Sequence, residues 1–498
     1  MPSFQVDPKN QMNDLDSRRW LQFQKSWFML DSETPAEFIN FFTKKFSHNN
    51  NLADQDKPSR PKRRRSRVGI FSENVKTFQP IIAALGREAI TLTDSLLTPS
   101  RDVLQESTLD YVIVDLRKIF ADEENYARPK DRWLQRLQAA VALMKPKSYL
   151  TIFLCNLETD SHYQPLAWEF GQAVGKFLTM KDEKIGCKIG KTKLKKSNST
   201  NKAIVKSGGE AVYCLNFRRQ LEEQPVAPNL FSAHHNDAAQ NSESKFSETD
   251  SRAWFVVKPP PREKNVLLHP AKFPEPLIEQ FIQRFTQPGE RVLDPMAGTG
   301  SALIAATSCN REAYGVELNQ NFCDIIRQRF ESQPANSIWK VACGDASLAE
   351  TYNALPKSFH YIITSPPYWD MLRMKGAETQ QKRQQAGLLQ FYSDDAADVG
   401  NISDYENFLE SLVKIYHQVG ARLEPGRFMT IIVKNVKKKG RIFPLAWDLS
   451  LRLRENLILH REQFWCQDDQ RLAPFGYRYA WVSNTFHHYC LHFQKPCK

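Results

Sequence analysis

Ser365-Pro366-Pro367-Tyr368, inside the stretch YIITSPPYWD at 361–370, sets a hydroxyl, a stiffly held carbonyl and a flat ring within four positions. Tyr361 to Thr364 are β-branched or aromatic throughout and predict a short buried strand. The prolines cannot continue a sheet ladder, so the chain must leave the strand at Ser365. Their fixed φ angles hold that exit rigid. A hydroxyl, the Pro366 carbonyl and the Tyr368 ring together suit a planar group that carries an amino substituent. The competing reading is a proline turn that ends a strand and buries its aromatics, so the surrounding chain has to decide.

A second constellation lies upstream. RVLDPMAGTGS at 291–301, followed by ALIAATSC, reads as a strand, a tight glycine turn and a helix. Gly298 and Gly300 permit backbone angles that a Cβ forbids and let a ligand approach the main chain. The helix behind them offers free N–H groups. The next strand, EAYGVEL, ends in Glu317, where a carboxylate can accept hydrogen bonds from ribose hydroxyls. A third strand leads to Gly344-Asp345-Ala346, which places Asp345 to meet an adenine amino group. A lone GxG carries little information. An Asp before a glycine turn, Glu and Asp at the next two strand ends and SPPY at the fourth carry much more.

The elements that hold these residues belong to an α/β chain of 498 residues, long enough for two or three domains. A hydrophobic fraction of 41% and an aromatic fraction of 11% exclude a disordered protein. The net charge of +12 favours a polyanionic partner. Nine cysteines without a CxxC pair read as reduced thiols in a cytoplasmic protein, neither a disulfide framework nor a zinc site. No metal site is expected, and His487-His488 reads as structural. The polar N-terminus and the lack of any long apolar run predict neither a signal peptide nor a membrane span.

HPAKFPEPLIEQFIQRFTQPGERVLDPMAGTGSALIAA, then YGVEL, GDA and TSPPYW, resembles the S-adenosylmethionine-dependent DNA methyltransferases that modify cytosine N4 or adenine N6. The resemblance covers roughly residues 250 to 498 and implies a Rossmann-like fold there. It implies that Asp294, Pro295, Gly298, Gly300, Ser301, Glu317 and Asp345 hold the cofactor, with His269 and Phe273 packed against it. Ser365, Pro366, Pro367 and Tyr368 would hold a base extruded from double-stranded DNA. An aromatic amino group is a poor nucleophile because its lone pair is delocalised. Accepting its hydrogen bonds through Ser365 Oγ and the Pro366 carbonyl makes the nitrogen more reactive, while Tyr368 stacks on the base. Serine in the tetrad's first place is usual for cytosine-N4 enzymes, and aspartate is commoner for adenine. Cys309, Cys323 and Cys343 lack the proline context of a cytosine-C5 nucleophile. The implied cell is one where the enzyme is cytoplasmic, nucleoid-associated if bacterial, with a restriction or defence partner as an open possibility.

The first half echoes the second. KPKSYLTIFLCNLETDSHYQPLAWEF at 145–170 parallels EPGRFMTIIVKNVKKKGRIFPLAWDL at 424–449 at an offset of 279, and Tyr111 to Asp115 parallels Tyr361 to Ser365 at 250. TPAEFINFFTKKF (34–46) parallels FPEPLIEQFIQRF (273–285) at 239, and DSRRW (16–20) parallels DSRAW (250–254) at 234. The first copy has Asp115-Leu116-Arg117-Lys118 in place of SPPY, a polar run at 47–67 in place of the glycine turn and Phe71 in place of Glu317. Residues 1–219 are therefore expected to be a degenerate, non-catalytic methyltransferase-like domain, 220–249 a flexible linker and 250–498 the catalytic domain. About 29 extra residues follow Trp369 and predict a mobile loop. Basic clusters at Lys57 to Arg67, Lys191 to Lys206 and Lys434 to Arg441 suit DNA phosphates. Two other functions fit the same motifs: an RNA base methyltransferase of guanine-N2 type and a non-catalytic nucleic-acid-binding protein.

Overall fold

In the computed structural model, residues 13–48, 63–94, 109–120, 127–158, 163–189, 204–220, 252–257, 273–369, 397–438, 440–468 and 485–497 are described. The linker at 220–249, the insertion after Trp369, the cluster at 191–206 and the run at 47–67 fall mostly outside them, as does His269.

Two sheets form the scaffold. The first half supplies β1 (Trp27–Met29), β2 (Arg67–Phe71), β3 (Glu88–Leu92), β4 (Leu109–Asp115), β5 (Met144–Leu154), β6 (Thr179–Lys188), β7 (Ile204–Gly208) and β8 (Glu210–Arg218). The second supplies β9 (Trp254–Val257), β10 (Arg291–Asp294), β11 (Glu312–Glu317), β12 (Trp339–Cys343), β13 (Phe359–Thr364), β14 (Leu423–Val433), β15 (Gln463–Cys466) and β16 (His487–Gln494). Sheet one runs β1-β6-β8-β5-β4-β2-β3, and the main path of sheet two runs β7-β9-β15-β16-β14-β13-β10-β11-β12. From β9 to β11 the second order repeats the first strand for strand. Four adjacent strands are parallel in the first sheet and five in the second; in each the next strand is antiparallel, and the pair beyond it runs in the direction of the parallel group. The parallel strands read as unbroken apolar runs because helices cover both of their faces.

Shared side-chain bonds fix the correspondence. Tyr111 donates to Thr151 Oγ1 and Tyr361 to Thr430 Oγ1, each at 2.6 Å. Trp168 Nε1 donates to Tyr213 at 2.8 Å and Trp447 Nε1 to Tyr489 at 3.0 Å. Arg87 Nε reaches the Thr43 hydroxyl at 3.0 Å, and Arg311 Nε reaches that of Thr286 at 2.9 Å. These pairs correct three sequence alignments. The helices Thr34–Phe42 and Glu275–Phe285 correspond with Thr43 opposite Thr286, four residues from the offset of 239. A slip of one helical turn preserves the apolar face, so the pattern alone does not expose it. Trp254 lies on β9 and matches Trp27 on β1, whereas Trp20 lies in the helix Ser17–Phe23. Arg67 pairs with Glu88 as Arg291 pairs with Glu312, an offset of 224, which sets Ile70 at Asp294 and Thr93 at Glu317. Phe71 thus matches Pro295, and the glycine turn's counterpart is IFSENVKT at 70–77. The offsets do not rise steadily along the chain.

The halves interlock. β7, from the first half, adds an antiparallel edge to β9, so the boundary near 219 is not a clean one. Glu183 accepts hydrogen bonds from Tyr489 and, at 2.8 Å, from Asn435 of the second half. Glu462 accepts them from Tyr213 at 2.6 Å and Asn156 at 3.1 Å of the first. Trp27 Nε1 donates to the Gln467 carbonyl at 2.8 Å, and Trp254 Nε1 to that of Lys188 at 3.1 Å. Cys187 and Cys466, themselves equivalent, meet at 3.9 Å. Each contact has its mirror, the pattern of an isologous dimer folded into one chain. One apolar core, from Trp27 to Phe493, crosses the junction.

Among the described residues, no helix is long and apolar enough to cross a membrane. The cysteine expectation fails at one pair: Cys323 and Cys343 are disulfide-bonded. Pairing of Glu317 with Cys343 between β11 and β12 brings the helix after Glu317 beside the end of β12, a proximity that a separation of 20 residues does not announce.

Glu183→Ala would strand the Tyr489 hydroxyl and the Asn435 amide in a dry interior, at a cost of ~1–3 kcal/mol for each donor. Urea unfolding should show the lower midpoint in fluorescence from tryptophans of both halves, in one shared transition. Separate transitions for the two halves would contradict the interlock.

Candidate active site

β10 ends at Asp294 because the next residue is proline and the chain turns. Gly298 and Gly300 take left-handed angles, φ 54° and 80°, which complete the turn into the helix Ser301–Ser308. A Cβ at Gly300 would lie 2.9 Å from Ile326 Cγ1, so this position excludes larger residues twice over. The Gly298 N–H donates to Glu317 at 2.7 Å and the Asn319 N–H at 2.9 Å, which fixes the carboxylate at the end of β11. Asp345, beyond β12, accepts from the Ser347 N–H at 2.7 Å.

One cavity at the carboxyl ends of the parallel strands is lined by Phe273, Asp294, Pro295, Gly298, Ser301, Glu317, Asp345, Ser365, Pro366 and Pro367. The two motifs therefore converge, although 64 positions separate Ser301 from Ser365. Parallel pairing of β10 with β13 causes this by bringing the ends of both strands to one edge. Gly300 shapes the turn from behind. Tyr368 is buried just beyond the prolines, 6.3 Å from His488 between ring centres.

The lining includes four carboxylates and, among the described residues, neither lysine nor arginine. Burial pushes Asp294 up to about 7, partly offset by the Met296 N–H and the Thr364 hydroxyl. Burial pushes Glu317 up to about 7 as well, against its two N–H donors. Asp398, which the sequence reading missed, also lines the cavity and helps to raise Glu317. It follows the long insertion, and nothing in its neighbourhood marks it beforehand. Buried acids without a cationic partner fit a positively charged ligand rich in hydroxyl and amino donors. S-adenosylmethionine, with its sulfonium, ammonium and ribose, has that chemistry and is the cofactor.

The first half's counterpart keeps a cavity, lined among others by Thr77, Asp115, Arg117 and Lys188, but its chemistry differs. Arg117 grips Asp115 through two bonds of 2.8 and 2.6 Å at the place of the SPPY turn. The Asn74 side chain, at the level of Gly298, bonds the Asp115 main chain through both its oxygen and its nitrogen. Ile70 and Thr93 provide no carboxylate.

Cation binding needs Asp294 and Glu317 ionised, and their raised pKa values put that transition near pH 7. Affinity for S-adenosylmethionine should fall as pH falls, by about tenfold for each of the two carboxylates and so about a hundredfold between pH 8 and pH 6, in calorimetric titrations. Glu317→Gln should weaken binding and flatten that dependence. A flat profile in the parent protein would remove both carboxylates from the binding role.

A DNA methylase family model matches residues 96–328, from before β4 to the helix after Glu317. The type II methyltransferase M.BglII from Bacillus subtilis is 36% identical over 67 residues, 14% of this chain and 19% of that protein. M.MthZI from Methanothermobacter thermautotrophicus is 30% identical over 128 residues, 24% of this chain and 34% of that protein. The chain thus spans about a fifth to a third of the length of these curated relatives. Among solved structures, TrmN from Thermus thermophilus covers 66% of this chain and 67% of its own at 12% identity and a TM-score of 0.31. Over residues 96–328 the chain is thus similar to the DNA methylase family of N4/N6 amino-methyltransferases, and over shorter stretches to type II DNA methyltransferases.

Proposed function

We propose that the protein methylates an exocyclic amino group of a base turned out of duplex DNA, cytosine N4 above adenine N6. The observation that carries this reading is the shared cavity of Asp294, Gly298 and Glu317 with Ser365, Pro366 and Pro367. When bound, S-adenosylmethionine supplies an electrophilic methyl group. Asp294 and Glu317 neutralise and orient it, and Gly298 and Gly300 let it lie against the main chain. Ser365 Oγ and the Pro366 carbonyl accept the amino group's hydrogen bonds, drawing its lone pair out of conjugation. Tyr368 stacks on the base, a contact worth ~1–3 kcal/mol. The neutral serine hydroxyl, where an adenine enzyme commonly has aspartate, favours cytosine.

In this reading the first half is a non-catalytic partner. Its strand order supports common descent, and the Asn74–Asp115–Arg117 cluster at its strand ends supports loss of catalysis. The family match also fits a tandem repeat, since a segment from the end of one copy into the start of the next contains one repeat in permuted order. The expected phosphate role of the first half's arginines needs narrowing, because Arg64 pairs with Asp110 at 3.0 Å and Arg67 with Glu88 at 3.0 Å.

Tyr368→Ala should cut turnover on duplex DNA by at least tenfold while leaving cofactor affinity near the parent value. Mass spectrometry of DNA methylated by the parent protein should find N4-methylcytosine. N6-methyladenine alone would refute the cytosine assignment, and unchanged turnover in the variant would place the chemistry elsewhere.

A further inference from the structure

Lys434 follows the last residue of β14 and lies half-buried with its ammonium 4.9 Å from the centre of the Tyr368 ring. Beyond it, the hairpin of Val436–Lys438 and Arg441–Phe443 continues the same theme. Lys438 sits 3.8 Å over the Trp369 ring and Arg441 4.3 Å over Phe443. Trp369 and Phe443 touch edge to face at 4.6 Å. A row of cations thus caps an aromatic wall that begins at the SPPY tyrosine.

Lys434 differs from its neighbours in its surroundings. Burial pushes its pKa down to about 8, and among the described residues no carboxylate acts against it. The nearby His488 is held well below its ordinary value by burial and by Lys434 itself, so it stands beside the ammonium as a neutral imidazole. A ring face holds a cation more weakly than an anion would. The equivalent position in the first half, 279 residues earlier, is Cys155. The cation occurs only in the half that has the SPPY turn.

We propose that Lys434 binds substrate, its ammonium pairing with a backbone phosphate that flanks the nucleotide whose base stacks on Tyr368. The inference rests on the base-stacking reading of Tyr368 given above. A nucleotide turned out of a duplex brings its own phosphates to the pocket mouth, and an ammonium beside the stacking ring is placed to meet one. The contact would hold the sugar-phosphate while Ser365 and Pro366 engage the base, and it would read no sequence.

The test uses the full-length protein and synthetic duplexes with one neutral methylphosphonate, placed either 5′ or 3′ of the target nucleotide. Lys434→Met, which keeps the apolar stem, should raise KM for DNA about tenfold with cofactor affinity unchanged, and Lys434→Arg should restore most of the loss. In the parent protein, one of the two methylphosphonates should raise KM by a similar factor. That penalty should vanish in Lys434→Met, as expected for two groups that act on each other. Equal penalties in parent and variant at both positions would overturn the proposal, as would a Lys434→Met variant with parental KM. The base-stacking reading fails on a different result, parental turnover by Tyr368→Ala, so the two failures are separable.

Discussion

Two crossed carboxylates hold this molecule together. Glu183 of the first half lies among donors of the second, and Glu462 of the second among donors of the first, all in the dry junction between the sheets. A buried carboxylate is tolerable only where several hydrogen bonds replace its water. Among the described residues, the side-chain donors to each glutamate come from the other half. Each half is thus completed by the other, and the exchange of indole–carbonyl bonds at Trp27 and Trp254 extends the dependence to the sheet edges. The arrangement has the self-complementarity of a two-fold dimer, made permanent by a single chain.

The bonds at this junction are alike in the two halves. The residues facing the junction, among them Asn156, Trp168 and Tyr213, retain the bonds of Asn435, Trp447 and Tyr489. At the ends of β2 and β4 the first half departs from the second, and there Asp115, Arg117 and Asn74 close on one another. The second half keeps its strand ends open and acidic.

The parts of the site that sequence made legible are those where local chemistry is unusual. Gly298 and Gly300 need φ values that other residues avoid, and Pro366-Pro367 ends a strand visibly. The cavity gathers both motifs because parallel strands β10 and β13 are neighbours, a consequence of the α/β pattern itself. Asp398 was not legible as a site residue, since it reaches the cavity only through tertiary contacts, whereas Lys434 was marked only as one of a basic run and its place beside Tyr368 needed the fold. The helix alignment slipped by one turn because amphipathic periodicity repeats after four residues, and only the Thr43–Arg87 and Thr286–Arg311 bonds fix the register. Phe71 was set against Glu317 because an apolar strand end carries no mark of its place in a ladder.

The central claim is that two halves of one topology share a junction while a single half holds the cofactor. Counting S-adenosylmethionine bound per full-length chain by equilibrium dialysis tests it most directly. One molecule per chain, lost on replacement of Asp294 by asparagine or Gly300 by valine in a folded protein, is the expected result. Two molecules per chain, or one that survives both replacements, would contradict it.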